Sequence, residues 1–192
     1  MSGIQVEHDH EPLYRMVRAS YADPLDASFS RVKVDNRWNP PDGFAALYAC
    51  CSERVARAVA LDLYQYAGIV LEDLQPAARP HLAEVGWSGR VIDVASVEGV
   101  AAAGFPPSYP TGIDYSQTQP KALEWHAAGS EGVVCRGASI DRLGLSDWTG
   151  PHPSWGEVAI FVENAATSPR LIRRRTDLEW FHVVDAAQPE LG

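Results

Sequence analysis

Glu157-Val158-Ala159-Ile160-Phe161-Val162, EVAIFV, is the clearest strand in the chain: one glutamate followed by an apolar run rich in β-branched and aromatic side chains. Other segments read as strands around it. Leu13-Tyr14-Arg15-Met16-Val17 alternates apolar residues around an arginine, and Ser30-Arg31-Val32-Lys33-Val34 alternates again. Phe44 to Cys50 reads as a buried strand, Arg90-Val91-Ile92-Asp93-Val94 and Gly132 to Cys135 as short ones, and Leu178 to Val184 as a last one. Between Ser52, a good N-cap, and Gly68, a natural C′ residue, the spacing predicts a helix with Val55, Val59, Leu63 and Tyr66 on one face. A second helix is expected over Ser116 to Ala128, with Pro120 near its first turn and Gly129 closing it. Strands outnumber helices and do not alternate with them regularly. The fold class expected is therefore α+β, a single-domain mixed sheet with flanking helices.

The chain has 192 residues, 21.0 kDa and a net charge of −9. That length suits one domain, read here as a polar leader over 1–12, a domain over 13–185 and a polar tail over 186–192. No apolar run approaches the roughly 20 residues of a membrane helix, and the N-terminus lacks a signal peptide pattern, so a cytoplasmic protein is expected. The negative charge argues against direct nucleic-acid binding. Cys50, Cys51 and Cys135 are odd in number and two are adjacent, which excludes a disulfide framework, and no CxxC or HExxH spacing supports a metal site. His8 and His10 fall in the leader, where a frayed terminus is expected. The dense basic run Arg173-Arg174-Arg175 reads as a solvated loop or a strand edge.

GxGxxG, GxxxxGK[ST] and GxSxG are all missing. What remains is a set of arginines beside aromatic rings. Arg15 interrupts an apolar strand and faces either solvent or an anionic ligand. Arg37, next to Trp38, sits in Asn36-Arg37-Trp38-Asn39-Pro40-Pro41-Asp42-Gly43, a rigid turn rich in side-chain donors. In Val133-Val134-Cys135-Arg136-Gly137-Ala138-Ser139-Ile140-Asp141, a strand gives way to very small side chains, the pattern expected where something approaches the backbone closely. His152, held between Pro151 and Pro153, is the histidine best placed for a cleft role. The loop from Leu145 to Trp155 also carries Trp148 and Trp155, candidates for a protein-interaction surface.

Together these segments resemble the RES-domain family of bacterial toxin–antitoxin systems. The resemblance rests on the arginine strand Leu13 to Val17, the turn Arg37-Trp38-Asn39-Pro40-Pro41-Asp42-Gly43, and Leu47-Tyr48-Ala49 leading into Ser52-Glu53-Arg54-Val55-Ala56. It continues through Gln117 to Gly132, Val133 to Ala138 and the closing strand Trp155 to Phe161. It implies a fold similar to ADP-ribosyltransferases and bacterial ADP-ribosylating toxins. The implied activity is cleavage of the nicotinamide–ribose bond of NAD, by hydrolysis or with inorganic phosphate as co-substrate. NAD would be substrate rather than cofactor. The implied partner is an Xre-type antitoxin protein, and a homo-oligomer is expected. In such a reaction positive charge develops on the ribose, which calls for a carboxylate, an anion clamp and an aromatic platform. Carried over by position, Arg15 and Arg37 are the clamp, Tyr48 the stacking or hydroxyl-donating residue, and Trp38, Gly137 and His152 further substrate contacts. The family's glutamate falls at Val59 and its serine at Gly137. Asp62 and Ser139 are the nearest candidates to supply the missing carboxylate and hydroxyl. The alternative is a weakened or inactive relative that acts as a nucleotide-binding or protein-interaction module.

Overall fold

The computed structural model describes residues 3–32, 36–144 and 156–182. Its strands are β1 (Ile4–His8), β2 (Leu13–Val17), β3 (Ala46–Cys50), β4 (His81–Gly86), β5 (Gly89–Val94), β6 (Gly132–Arg136), β7 (Gly156–Phe161) and β8 (Arg170–Arg175). Its helices are α1 (Glu53–Tyr66), α2 (Val97–Ala102), α3 (Tyr115–Ala127), α4 (Ala138–Arg142) and α5 (Glu179–His182). The strands form one sheet in the order β1-β5-β6-β7-β3-β2-β4-β8, antiparallel except for the β5–β6 pair. The architecture is the expected α+β mixed sheet with flanking helices.

The apolar run Val158 to Phe161 of β7 follows from its place in the middle of that sheet. Val158 and Ile160 join Leu13, Leu47, Ala49 and Val85 on one side. Ala159 and Phe161 join Trp38, Trp125 and Val133 on the other. A strand covered on both faces has no reason to alternate. A third cluster lies under α1, where Val55, Ala56 and Ala60 meet Leu82, Ile140 and Trp180. Small side chains let this helix sit close to its neighbours. The face expected for α1 therefore changes along its length: Val55 is buried, whereas Leu63 and Tyr66 are exposed.

Several other expectations are corrected. Ser30 to Val34 was read as a strand, but Ser28–Arg31 is a 3-10 turn, and Lys33 and Val34 lie outside the described residues. The carbonyl of Ser30 accepts from the side-chain amides of Asn36 and Asn39, at 2.6 and 2.5 Å. Its hydroxyl accepts from the N–H of Ala46 at 2.8 Å. These polar bonds replace a ladder. The segment starting at Leu178, also read as a strand, forms the short helix α5, whose first N–H donates to the carboxylate of Asp177. There Trp180 and Phe181, adjacent in sequence, are both buried. The leader is not frayed from Ile4 onward, because β1 pairs with β5 along its whole length. The arginine run belongs to β8, the outermost strand, where Arg173 pairs with Glu84 and Arg175 with Glu53.

Two consequences are measurable. A Cβ added at Gly132 would stand 2.5 Å from the carbonyl oxygen of Ala159 and 3.3 Å from the Cα of Ile160, both backbone atoms of β7. Gly132→Ala is expected to lower unfolding free energy by roughly 1–3 kcal/mol in urea titrations. His8 is 3% exposed beside Trp87, and burial, followed by the nearby His10, pushes its pKa down to about 4. An unfolded histidine titrates near 6.5, so below that pH the unfolded chain takes up a proton the folded one refuses. The stability tied to His8 is full above pH 6.5 and declines as the pH falls towards 4. His8→Phe should lose less stability than wild type between pH 7 and 4.5, with a difference of no more than about 3 kcal/mol. Equal losses in the two proteins would refute the assignment.

Candidate active site

β2 and β3 share a single ladder pair, Tyr14 with Cys50. Beside this short pairing lies a cleft of about 270 Å³, lined by Arg15 and Met16 of β2 and by Tyr48, Ala49 and Cys50 of β3. Val59 and Leu63 of α1, Arg18, Tyr21, Asp26, Phe29 and Asn36 between β2 and β3, and Glu157 of β7 are also in its walls.

Arg15 donates from Nη1 to the carbonyl of Tyr48 at 2.8 Å. Its Nε is buried and has no partner among the described residues. Burial pulls the guanidinium pKa down from its ordinary value, but an arginine keeps its proton across the physiological range. The result is a fixed cation in a cleft wall with an unused donor.

Tyr48 lines the cleft, packs against the core beside Trp38 and Phe44, and gives its hydroxyl to the scaffold. The hydroxyl accepts from the backbone N–H of Trp38 at 2.9 Å and donates to Oδ1 of Asn39 at 2.8 Å. Burial raises the phenol pKa, so the group stays a neutral donor. Tyr48 thereby ties the Arg37–Gly43 turn to β3.

The turn itself points two ways. Asn36 lines the cleft, while Arg37 donates to the carbonyl of Arg136 at 3.1 Å and to Sγ of Cys135 at 3.8 Å. Trp38 is 1% exposed, packs against Trp125 and Phe105, and donates from Nε1 to Sγ of Cys135 at 3.2 Å. Of the residues expected to grip a ligand, the cleft therefore gathers Arg15 and Tyr48. Arg37 stands at the end of β6, and Trp38 is in the core.

Asp62 and Ser139 come together, but away from the cleft lining. Ser139 donates to Oδ2 of Asp62 at 3.0 Å, and Arg142 forms an ion pair with the same carboxylate. Three residues along a helix turn through about 300°, so Asp62 leaves the line of Val59 and faces α4. Gly137 is the N-cap of α4 with φ −71°, a backbone conformation open to any residue. Close ligand approach is thus not required to explain the glycine. His152, Trp148 and Trp155 lie outside the described residues.

Glu157 was missed at the sequence level. It is the one ionisable residue in β7, on the same alternating face as Ala159 and Phe161, and lines the cleft. A lone carboxylate at the head of an apolar strand was the one local hint, and it does not show that the residue meets a cleft. Among the described residues no group of three or more His, Cys, Asp or Glu side chains could hold a metal ion. The site thus offers a buried cation, an aromatic wall and a carboxylate. That combination can orient an anionic, ring-bearing ligand and favour positive charge developing on it.

Comparison of the sequence with curated proteins returns no match. Among solved structures, the crystal structure of the M. tuberculosis MbcT–MbcA toxin–antitoxin complex contains a similar chain. The TM-score is 0.68 at 19% identity, over 90% of this chain and 85% of that one. This likeness supports the fold. The model of the RES domain matches residues 12–176, from just before β2 through β8. The chain belongs to the RES domain family.

Proposed function

We propose that the protein binds NAD in the cleft and cleaves its nicotinamide–ribose bond, by hydrolysis or by phosphate attack. The observation that carries this reading is Arg15, a buried guanidinium in the cleft wall whose Nε has no partner among the described residues. Holding such a group out of water is costly unless an anion completes its hydrogen bonds. A pyrophosphate answers that need, and the Tyr48 ring beside it offers a surface for ribose or nicotinamide. The reaction would take place in the cytoplasm, where an Xre-type antitoxin would cover the cleft. A toxin–antitoxin complex among the similar structures supports a protein partner, as do the exposed apolar side chains of Phe29 and Leu63 on the cleft.

A second reading is a nucleotide-binding protein without turnover. It is favoured by Val59, an apolar residue on the cleft where the resemblance calls for glutamate, and by the engagement of Asp62 and Ser139 with Arg142. Chromatographic detection of nicotinamide separates the two. The first reading expects NAD loss matched by nicotinamide release, with added phosphate distinguishing ADP-ribose from its 1-phosphate as product. Under the second, ADP-ribose raises the melting temperature while NAD stays intact.

Arg15→Ala is expected to lower kcat/KM for NAD by about 100-fold or more, the usual scale for removing a buried charged contact. Asp62→Asn tests the other side of the assignment. It should lower the melting temperature by weakening the α1–α4 contact, while NAD turnover stays within about threefold of wild type. A large turnover loss in a folded Asp62→Asn protein would put the reaction beside α4.

A further inference from the structure

We infer that Glu157 is the catalytic carboxylate of this cleft, reaching the ribose from the floor of the sheet. The inference rests on the reading that the cleft cleaves NAD, and identifies the group that reading lacks at Val59.

The argument begins with what the cleft contains. Its acidic lining residues are Asp26 and Glu157. Asp26 belongs to a loop, where its carboxylate accepts from the N–H of Ser28 at 2.8 Å. Hydrogen bonds from the Ser28 hydroxyl and N–H hold Asp26 below the ordinary carboxylate range, so this group is already occupied. Glu157 differs in both respects. It belongs to the central strand β7, with Cys50 of β3 opposite it on one side and Cys135 of β6 on the other. Among the described residues, no hydrogen bond or ion pair holds its carboxylate.

Glu157 lies within electrostatic reach of the buried Arg37 guanidinium, which favours its ionised form, yet no hydrogen bond among the described residues ties it down. The next four residues of β7 are all essentially inaccessible and apolar, and both cross-strand neighbours are buried thiols. A partly buried acid that no hydrogen bond satisfies costs stability, and the nearby Arg37 charge keeps it ionised without occupying its oxygens. The same position shares a cleft with Arg15, Tyr48 and Val59. The carboxylate is thus in the wall of a site that also holds Arg15, whose Nε has no hydrogen-bond partner among the described residues.

The chemistry follows. The bond from C1′ of the ribose to the ring nitrogen of nicotinamide breaks, and its electron pair leaves with the neutral nicotinamide. Positive charge develops across C1′ and the ring oxygen, where the Glu157 carboxylate opposes it. A water oxygen then bonds to C1′, and its proton passes to Glu157 and on to solvent. NAD and water yield ADP-ribose, nicotinamide and one proton. Arg15 holds phosphate throughout and takes no part in the bond changes.

The test measures nicotinamide release and ADP-ribose binding in the same proteins. Glu157→Gln keeps the size and removes the charge. It should lower kcat by about 100-fold or more while ADP-ribose affinity stays within about threefold, because binding depends on the clamp. Glu157→Ala should be equally slow and regain at least about tenfold in rate with added formate, which restores a carboxylate that a purely structural role would not use. Melting curves establish that each variant is folded, and the alanine variant with formate carries the test if the glutamine variant is not. If wild type releases nicotinamide and Glu157→Gln retains more than about a tenth of its kcat, the role given to Glu157 is overturned and the NAD-cleaving reading survives. If wild type binds ADP-ribose and releases no nicotinamide, both fall.

Discussion

The hydroxyl of Tyr48 is the junction on which the cleft depends. It accepts from the backbone of Trp38 and donates to Asn39, and the amide of Asn39 reaches the carbonyl of Ser30. Ser30 in turn takes the N–H of Ala46, the first residue of β3, while the carbonyl of Tyr48 holds Arg15. One connected set of hydrogen bonds therefore fixes β2, the 3-10 turn, the proline-rich turn and β3 against each other. Such a network rigidifies only when its members are satisfied, since the same low dielectric that strengthens each bond penalises an unpaired group. The exception is Nε of Arg15, left without a partner among the described residues where the network meets the cleft. A binding site is the natural place for an exception of that kind.

The sheet supplies rigidity of another sort. Trp38, Trp87, Trp125 and Trp180 are all essentially inaccessible, so the core is built on large rings rather than on long helices. Phe44, Phe161 and His126 pack together, with 4.2 Å between the Phe44 and His126 rings and 4.5 Å between those of the two phenylalanines. Close-packed aromatic layers resist the small displacements that would spoil a ligand geometry. Asn36 and Trp38 show how one turn serves both ends: Asn36 borders the cleft while the Trp38 indole anchors the core.

How much of this was readable from the sequence depended on the range of the interaction responsible. β7 and α1 were legible because their signals are local, an apolar run in one and a cap with a closing glycine in the other. The proline-rich turn was legible for the same reason. β4 was not singled out, and its strand character depends on pairing with β2 and with β8, the latter about ninety residues away. Ser30 to Val34 misled because its alternation is real, but the acceptor needed for a ladder is taken by two asparagine side chains. At the site, Arg15 could be anticipated from its place in an apolar strand, whereas Tyr48 came with the family resemblance. Asp62 and Ser139 were chosen for proximity to Val59 and Gly137, and proximity along the chain did not decide direction: both turned towards Arg142. Glu157 required knowing that β7 lies between β3 and β6 with that residue at the cleft, which no local pattern conveys.

The same placement changes what Val59 means. On α1, a valine where a glutamate is expected looks like a loss. In the cleft, Val59 and Leu63 lie on the α1 wall while Glu157 comes from the sheet. In the proposed reaction a carboxylate on the floor gains from an apolar wall nearby, because excluding water strengthens its attraction for a developing cation. A second carboxylate on α1 would repel the first and disfavour the ionised form both would need. Under that proposal an acid on the sheet in place of the helix would give the valine a function and leave Asp62 to join α1 to α4. Val59, Asp62 and Glu157 are then consistent with one rearrangement of charge within a preserved fold.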